Sequence, residues 1–304
     1  MQAKPFLKWA GGKSRLLKDI YKSLPKEFIN NDFTYVEPFL GSGAVLFWML
    51  NNFPNIKRAI INDINCDLIN VYKVISAKPL ELISILEIFQ IEFYSFEFDV
   101  EGRKEYYISK RLLFNSRSAN KVTQAALFIF LNRTCFNGLY RVNKSNEFNV
   151  PIGSYIKPLI CDKENILAVS AILENVEILT GDYEQTLDYI NEKSLFYLDP
   201  PYKPLNKTSF FNTYANNVFN DEEQIRLRDF CVKLDVRNLN WILSNSDVTL
   251  VDSEDTFFDD LYKDFDISRV EAKRYINSDS KKRGNLKELL IFNNVEEQIV
   301  LMHN

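Results

Sequence analysis

The strongest constraint on the fold is an alternation of short apolar runs with helix-length stretches. Seven runs rich in β-branched and aromatic residues are predicted to be strands: 33–39, 58–63, 175–181, 195–199, 241–245, 265–271 and 288–293. A helix is predicted over 221–234, with Asn220 or Asp221 as its N-cap. The alternation predicts an α/β protein with an open sheet that binds ligands at the carboxyl ends of its strands.

The alternation is absent from about residue 67 to residue 163, where the pattern is helical and then irregular and aromatic. We predict an inserted, mainly helical domain over 67–163, and a second domain made of 1–66 and 164–304. From Arg103 to Lys163 there are 11 Lys and Arg against 3 Asp and Glu, which leaves 26 against 38 for the rest of the chain. This segregation indicates a face for a polyanion, although a solvated helical surface would show the same charge run.

The composition excludes several kinds of chemistry. The single histidine is His303, the second-last residue, so histidine-based triads and histidine–zinc sites lack a candidate. The cysteines are too widely spaced for a zinc or redox pair, and we expect no metal. No apolar run approaches the roughly 20 residues that span a bilayer, and the opening MQAKPFLKWAGGK is too polar for a signal peptide. We therefore expect a cytoplasmic protein.

The segment YVEPFLGSG (35–43) has the pattern of a strand and a glycine-rich turn that enters a helix. Glycines let a ligand approach the main chain closely. Leu46 stands where a dinucleotide-binding motif has its third glycine, so the sequence is a poor match to an NAD-binding site. Asp63 ends the next strand, 22 residues after Gly41, where a carboxylate can accept hydrogen bonds from ribose hydroxyls. The combination indicates a nucleoside-bearing cofactor.

The segment LDPPY (198–202) follows a hydrophobic strand. Two prolines fix the turn and remove two N–H donors. Asp199 and the Pro200 carbonyl are placed to accept the two N–H groups of a planar base, and Tyr202 to stack on its ring. A proline-ended strand with a surface tyrosine is the structural alternative.

Two further segments favour ligand or nucleic-acid contact. KWAGGK (8–13) flanks a glycine pair with cations and an indole, and is predicted to close over the cofactor. LNRTCFNGLYR (131–141) and EFNVP (147–151) combine an aromatic ring, a glycine turn, apolar groups and arginine in the basic segment. Such groups read or wedge between bases, although they also serve as loop anchors.

In this order, KWAGGK, EPFLGSG, NDINCDLI, LNRTCFNGLYR with EFNVP, LDPPY, SNSD and KRGNLKELLI resemble the Dam-like family, the alpha group or D12 class of DNA N6-adenine methyltransferases. The resemblance covers nearly the whole chain. It implies the class I methyltransferase fold, a Rossmann-like, mostly parallel sheet with a hairpin-bearing last strand. It also implies S-adenosylmethionine as methyl donor, double-stranded DNA as substrate, and a target-recognition role for residues 67–163.

The resemblance assigns roles residue by residue. The catalytic set is Asp199, Pro200, Pro201 and Tyr202. The cofactor-binding set is Trp9, Ala10, Gly11, Gly12, Lys13, Pro38, Phe39, Gly41, Gly43, Asp63, Asp182, Tyr183 and Asp199. The DNA-binding set is Lys8, Arg133, Phe136, Asn137, Gly138, Leu139, Tyr140, Arg141 and Pro151. Phe136 stands where the family has an intercalating tyrosine, so the ring is kept and the hydroxyl is lost.

The target sequence stays open at this point. GATC is the first choice, because within the family the residues matching Lys8, Leu139, Arg141 and Pro151 meet the bases of that site, but CATG or GATATC remain alternatives. Methylation of RNA or of a protein glutamine, or a non-catalytic DNA-binding module, are rival functions. A monomer is expected, and a cognate restriction endonuclease is left open. Basic residues late in the chain are predicted to hold phosphate: Arg269, Lys273, Arg274, Lys281, Lys282 and Arg283.

Overall fold

The computed structural model describes residues 1–9, 13, 15–190, 193–203, 219–250, 252–273 and 285–293. Its strands are β1 (Phe33–Glu37), β2 (Ile56–Ile61), β3 (Val176–Ile178), β4 (Ser194–Leu198), β5 (Asn240–Ser246), β6 (Asp266–Lys273) and β7 (Asn285–Phe292). They form one sheet in the order β3-β2-β1-β4-β5-β7-β6. The first five strands pair in parallel, whereas β7 runs antiparallel to both β5 and β6. All seven predicted strands and the mostly parallel α/β sheet are confirmed.

Helices after the glycine-rich turn, within the interval 67–163 and from residue 221 lie where the sequence pattern predicted them, whereas the short helices that begin at residues 17, 27 and 257 were not predicted. They are α1 (Leu17–Lys22), α2 (Glu27–Asn30), α3 (Ala44–Asn52), α4 (Cys66–Ala77), α5 (Pro79–Ser95), α6 (Val100–Ser116), α7 (Lys121–Thr134), α8 (Lys163–Ile172), α9 (Asp221–Val236) and α10 (Phe257–Leu261). Asn220 is the N-cap of α9, because its side chain accepts from the backbone N–H of Glu223. Among the described residues, no helix has the length and apolar character needed to span a membrane.

Helices α4–α8 lie between β2 and β3, in the interval where the strand–helix alternation fails. Helix α7 is buried along most of its length, and its side chains join those of α4, α5 and one face of the sheet in a single hydrophobic core. The chain between α7 and α8 is irregular, with isolated antiparallel bridges that join Cys135 to Ile152 and Val142 to Phe148. We call residues 135–152 the hairpin segment. It is anchored to a rigid core through α7.

A second core covers the opposite face of the sheet, where α9 and α10 pack. Val36 of β1 pairs with Ile60 of β2 on one side and Phe196 of β4 on the other. Because β1, β2 and β4 are parallel neighbours, the loops that follow them emerge at one edge of the sheet. Those loops carry the glycine-rich turn, Asp63 and the Asp-Pro-Pro-Tyr turn.

Candidate functional site

The glycine-rich loop after β1 is held by Asp63. One carboxylate oxygen accepts from the backbone N–H of Gly41 at 2.9 Å, and the other accepts from that of Asn65 at 2.9 Å. Gly43 has φ +69°, and a Cβ there would lie 2.7 Å from the Tyr72 hydroxyl, so both conformation and space require glycine. Burial raises the pKa of Asp63, while these N–H donors oppose the shift. The predicted neighbourhood of Gly41, Gly43 and Asp63 is present in the structure.

Aromatic side chains border this loop on two sides. A Cβ on Gly41 would lie 3.1 Å from the Trp9 indole nitrogen, so Trp9 covers the loop directly. On the other side the rings of Phe39 and Tyr183 are 5.0 Å apart. Asn62 joins the loops after β1 and β3, because its amide donates to the carbonyl oxygens of Pro38 and Gly181.

Asp182 follows Gly181 in this group. Its carboxylate accepts from the Arg226 guanidinium at 2.6 Å. Burial acts to raise the pKa of Asp182, but the hydrogen bonds from Arg226 and the Glu184 N–H, together with the charge of Arg226, outweigh it and the pKa is lowered. An ionised, exposed carboxylate therefore lies next to Tyr183 in the loop after β3.

Asp199, directly after β4, is held by groups from two other parts of the chain. Its Oδ1 lies 2.9 Å from the Lys13 ammonium nitrogen and accepts from the Ser244 hydroxyl at 2.9 Å. The Lys13 side chain is only 7% exposed and that of Asp199 22%. Burial raises the pKa of Asp199, and the contacts with Lys13 and Ser244 oppose the shift. The carboxylate is thus fixed at an opening, with a buried cation as its partner.

The Asp-Pro-Pro-Tyr turn is fixed from both ends. The Tyr202 hydroxyl donates to Glu288 of β7 at 2.7 Å, and the Lys13 nitrogen lies 4.2 Å from the centre of the Tyr202 ring. The Gln224 amide donates to the Pro201 carbonyl oxygen at 3.2 Å. Pro200 is buried. A carboxylate, a stiff turn and an immobilised ring together can bind and orient a planar amino group.

Sequence reasoning missed several groups that complete this site. Ser244, Tyr197, Gln224 and Glu288 surround the turn, and the buried Glu37 accepts from the Tyr35 hydroxyl at 2.8 Å one strand away. Ser244 lies in SNSD and Glu288 in KELLI, at positions that the sequence pattern places in strands but to which it assigns no role. Polar residues inside otherwise apolar strands were the available signal, because buried polar groups need partners.

The backbone of Lys8, a predicted DNA-binding residue, is linked to the hairpin segment through the side chain of Asn132. Asn132 of α7, 2% exposed, accepts from the Lys8 N–H at 2.8 Å and donates to the carbonyl oxygens of Lys8 at 2.8 Å and Gly138 at 3.0 Å. Gly138 has φ +64°, and a Cβ there would lie 2.5 Å from the Lys8 side chain. The Lys8 nitrogen lies 3.8 Å from the centre of the Tyr155 ring. This arrangement places Lys8 beside the hairpin segment.

Several predicted DNA-binding side chains of the hairpin segment face solvent. Phe136 is 52% exposed and Leu139 40% exposed, and Asn137, Arg141 and Pro151 are also exposed. The Phe136 N–H donates to the Pro151 carbonyl oxygen at 2.9 Å, which keeps these two residues together. The Nε–H of Arg141 donates to the Asn149 side-chain oxygen at 2.7 Å. An apolar, aromatic and cationic surface results.

Arg133 and Tyr140 make interior contacts instead. The Arg133 guanidinium donates to the Phe6 carbonyl oxygen at 2.7 Å, and burial lowers its pKa. The Tyr140 ring packs against both Trp9 and Phe128, with ring centres 5.7 and 5.0 Å away, and those two rings are themselves 6.5 Å apart. Tyr140 therefore joins the hairpin segment to the tryptophan that covers the glycine-rich loop.

Some predicted residues fall outside the described part of the chain. These are Ala10, Gly11 and Gly12 of the cofactor set, and Arg274, Lys281, Lys282 and Arg283, together with the side chain of Lys273, of the late basic set. The Arg269 guanidinium lies 2.7 Å from Asp259 and 3.2 Å from Asp247. Within the described residues, no three His, Cys, Asp or Glu side chains cluster as they would around a metal ion.

Comparison with known proteins identifies the family. Residues 9–276 match the family model described as D12 class N6 adenine-specific DNA methyltransferase. The Type II methyltransferase M.MjaIII of Methanocaldococcus jannaschii is 48% identical, over 96% of this chain and 100% of that protein. The Type II methyltransferase M1.LlaDCHI of Lactococcus lactis subsp. cremoris is 37% identical, over 95% of each. The DNA adenine methylase of Escherichia coli K12 is 33% identical, over 94% of this chain and 93% of that protein.

Both the predicted family and the predicted enzyme class are confirmed. The chain belongs to the D12 class of N6 adenine-specific DNA methyltransferases.

Proposed function

We propose that this enzyme transfers the methyl group of S-adenosylmethionine to N6 of an adenine turned out of a short duplex site, with GATC as the first choice. The observation that carries the proposal is the fixed Asp199 carboxylate at the start of the Asp-Pro-Pro-Tyr turn, 2.9 Å from the buried Lys13 and beside the glycine-rich loop. The strand order with its antiparallel β7 supports the class I methyltransferase fold. In this proposal residues 1–66 and 164–304 form the catalytic domain, and the insertion at 67–163 recognises the target.

The residues present fit the proposed donor. Asp63 lies two residues after the end of β2 and is fixed by two N–H groups, which leaves lone pairs on its oxygens for ribose hydroxyls. Trp9 and Phe39 offer ring surfaces for a base, and the buried Tyr183, 4% exposed, packs against Phe39. The acidic groups Glu37 and Asp199 lie close enough to influence each other electrostatically. Because burial raises the pKa of Glu37 well above its ordinary value, the Asp199 carboxylate is the group of the two that suits a positively charged sulfonium ligand.

The chain's own residues act on the adenine. Because N6 is delocalised into the ring, it is a weak nucleophile until its geometry changes. We assign one N6–H to Asp199 and the other to the Pro200 carbonyl, which favours a pyramidal nitrogen with its lone pair toward the donor. S-adenosylmethionine, when bound, supplies a methyl carbon activated by its sulfonium. As the N6–methyl bond would form, the methyl–sulfur bond would break and leave a neutral thioether. Positive charge develops on N6, and Asp199 stabilises that charge more in the transition state than in the ground state, before N6 loses one proton to solvent.

The base must leave the duplex to reach this site. Extrusion costs a few kcal/mol, which stacking on Tyr202 and the edge hydrogen bonds offset. The exposed ring of Phe136 would insert between stacked DNA bases, and Arg141 would hydrogen-bond to the edge of a guanine. Two of the relatives are Type II methyltransferases, which favours a place in a restriction–modification system with an endonuclease for the same site.

Labelled S-adenosylmethionine and duplex oligonucleotides test the proposal. We expect methyl incorporation at adenine N6 in one of GATC, CATG or GATATC duplexes, and little in RNA or in a duplex with N6-methyladenine already at that site. Sequencing that detects modified adenine, on DNA from cells that express the chain, then gives the full recognition sequence. Incorporation only into RNA or protein would contradict the proposal.

Asp199→Ala should reduce methyl transfer by at least about 100-fold, comparable to the loss of a main electrostatic contact in other active sites. DNA affinity should change little, because the DNA-reading residues lie elsewhere. Asp188→Ala, at an exposed aspartate outside the site, is the control. Thermal unfolding of each variant separates lost chemistry from lost folding, and comparable turnover by a folded Asp199→Ala enzyme would refute the assigned role.

A further inference from the structure

We infer that Ser244, supported by Tyr197, is a positioning residue that fixes the rotation of the Asp199 carboxylate and leaves its second oxygen, Oδ2, to receive the adenine amino group. The inference rests on the proposed function, and it adds two residues that neither the sequence motifs nor the family match assigns to the reaction.

The direction of each hydrogen bond follows from donor and acceptor chemistry. The Lys13 ammonium only donates, so the Asp199 oxygen that faces it, Oδ1, must accept. The Ser244 hydroxyl contacts that same Oδ1 at 2.9 Å, and it therefore spends its only proton there. Tyr197 lies 3.0 Å from the Ser244 oxygen. Because Ser244 has no second proton, the Tyr197 hydroxyl must donate to Ser244.

The hydrogen bonds therefore run in one direction, because Tyr197 donates to Ser244 and Ser244 donates to Asp199. The two donor residues are buried, with Ser244 at 0% and Tyr197 at 2% exposure, so the alternative of hydration by bulk water is removed. Lys13 and Ser244 both contact Oδ1, which restricts rotation of the carboxylate. Among the residues that the structure describes, the hydrogen bonds to Asp199 go to Oδ1, so Oδ2 is the oxygen able to accept from a substrate.

This series of hydrogen bonds is rigid because Tyr197 and Ser244 lie on paired strands of the sheet. Tyr197 is on β4 and pairs with Ile242 of β5, two residues before Ser244. Ser244 in turn pairs with Leu290 of β7, so β5 is held between two strands at this position. The serine hydroxyl therefore cannot follow Asp199 if the carboxylate rotates.

Other ionisable groups also face Asp199. They are Lys13 from the N-terminal segment, Tyr35 and Glu37 from β1, Tyr197 from β4, Tyr202 from the turn and Glu288 from β7. Burial raises the pKa of Asp199, and Ser244 is one of the groups that oppose this shift. Removal of the serine hydroxyl should raise that pKa further.

Ser244→Ala is the main test, in single-turnover methyl transfer at saturating DNA and S-adenosylmethionine. We expect a rate 10- to 100-fold below that of the wild type, with little change in KM for either substrate. The acid limb of the pH–rate profile should move to higher pH, so that part of the loss is recovered in alkaline buffer. Tyr197→Phe should shift the same limb in the same direction by a smaller amount, with a 2- to 5-fold loss of rate.

Ser23→Ala is the matched control, since Ser23 is also buried and its hydroxyl donates to the Asp19 carbonyl oxygen, outside the site. It should leave the pH–rate profile unchanged. Asp199→Asn gives an independent arm, because Oδ1 must stay an acceptor and the amide NH2 is then forced toward the substrate. We expect that variant to be as inactive as Asp199→Ala in spite of its similar shape.

The inference is overturned if folded Ser244→Ala loses rate equally at every pH, or retains the wild-type rate, or if Asp199→Asn keeps more than a tenth of the activity. These outcomes differ from a failure of the proposed function, in which the wild-type enzyme would not methylate adenine N6 in the same assay.

Discussion

The two halves of the site are constructed in opposite ways. Asp199 is fixed by Lys13 and Ser244, and these contacts come from outside its own turn. The hairpin segment instead exposes its predicted reading groups, with Phe136 and Leu139 at 52% and 40% exposure. The part proposed to perform the chemistry is fixed before substrate arrives, and we call it the closed half. The part proposed to read sequence is exposed, and we call it the open half. The difference matches what each needs, since electrostatic stabilisation depends on preorganised groups.

Asn132 connects the two halves. Its side chain binds the Lys8 backbone and the Gly138 carbonyl, and the next residue after Lys8 is Trp9, which covers the glycine-rich loop. One buried amide therefore links the hairpin segment to Trp9 and, through Trp9, to the glycine-rich loop.

Asn132→Ala should break this connection and give the largest effect on stability. It leaves one N–H and two carbonyl oxygens without their partner, and each unsatisfied buried group costs about 1–3 kcal/mol. We expect the free energy of unfolding to fall by about 2–4 kcal/mol in urea denaturation. Asn70→Ala is the control, because Asn70 makes an exposed hydrogen bond to the Lys121 carbonyl oxygen. If the free energy of unfolding fell equally in the two variants, Asn132 would not be a connection between the two halves.

Arg141→Ala tests the open half alone. If Arg141 reads a guanine, discrimination at one base pair should fall by about 1–3 kcal/mol, while unfolding and the rate on the best site change less. Competition between duplexes that differ at single positions measures this. Arg237→Ala, at an exposed arginine after α9, should leave every preference intact. An unchanged methylation pattern in Arg141→Ala would remove Arg141 from the set of reading residues.

Asn149→Ala sharpens the same test. Asn149 accepts from the Arg141 guanidinium through both its side chain and its backbone carbonyl, so its loss frees a side chain that remains charged. We expect a smaller loss of discrimination, about 1 kcal/mol, at the base pair that Arg141 reads. A uniform loss of affinity for all duplexes, with a weaker dependence on salt, would instead indicate a phosphate contact.

Much of the closed half could be predicted from the sequence. β-branched runs located the strands, and parallel neighbours place their carboxyl ends together, so Gly41, Asp63 and Asp199 were expected at one edge. Ser244 could not be placed this way, because it lies 45 residues after Asp199 in the chain. Its approach depends on the pairing register of β4 and β5, which residue patterns do not specify.

The open half shows a different limit. LNRTCFNGLYR gave the residue types of a reading loop, but not which of them turn outward. Phe136 is exposed, whereas Tyr140 packs against Trp9 and Phe128, and Arg133 donates to the backbone of Phe6. Direction in an irregular loop is set by tertiary packing, which has no period along the chain.

Glu37→Gln tests the closed half through pH, and its effect should be the smallest. Burial raises the pKa of Glu37 well above its ordinary value, so the folded state binds a proton that the unfolded state releases as pH rises. The free energy of unfolding should therefore fall as the pH rises through the window above the ordinary glutamate pKa. Gln mimics the protonated side chain and keeps the oxygen that accepts from Tyr35.

We expect Glu37→Gln to lose less than about 1 kcal/mol at pH 5, where a shape-conserving exchange keeps the hydrogen bond. At pH 9 it should be more stable than the wild type, because glutamine is neutral without a bound proton, whereas Glu37 must either hold a proton at that pH or carry a buried charge. Urea denaturation at both pH values measures the difference. Asp188→Asn, at an exposed carboxylate, should show the wild-type pH dependence. If Glu37→Gln keeps that dependence too, Glu37 is ionised in the folded enzyme and the closed half carries its negative charge at all working pH values.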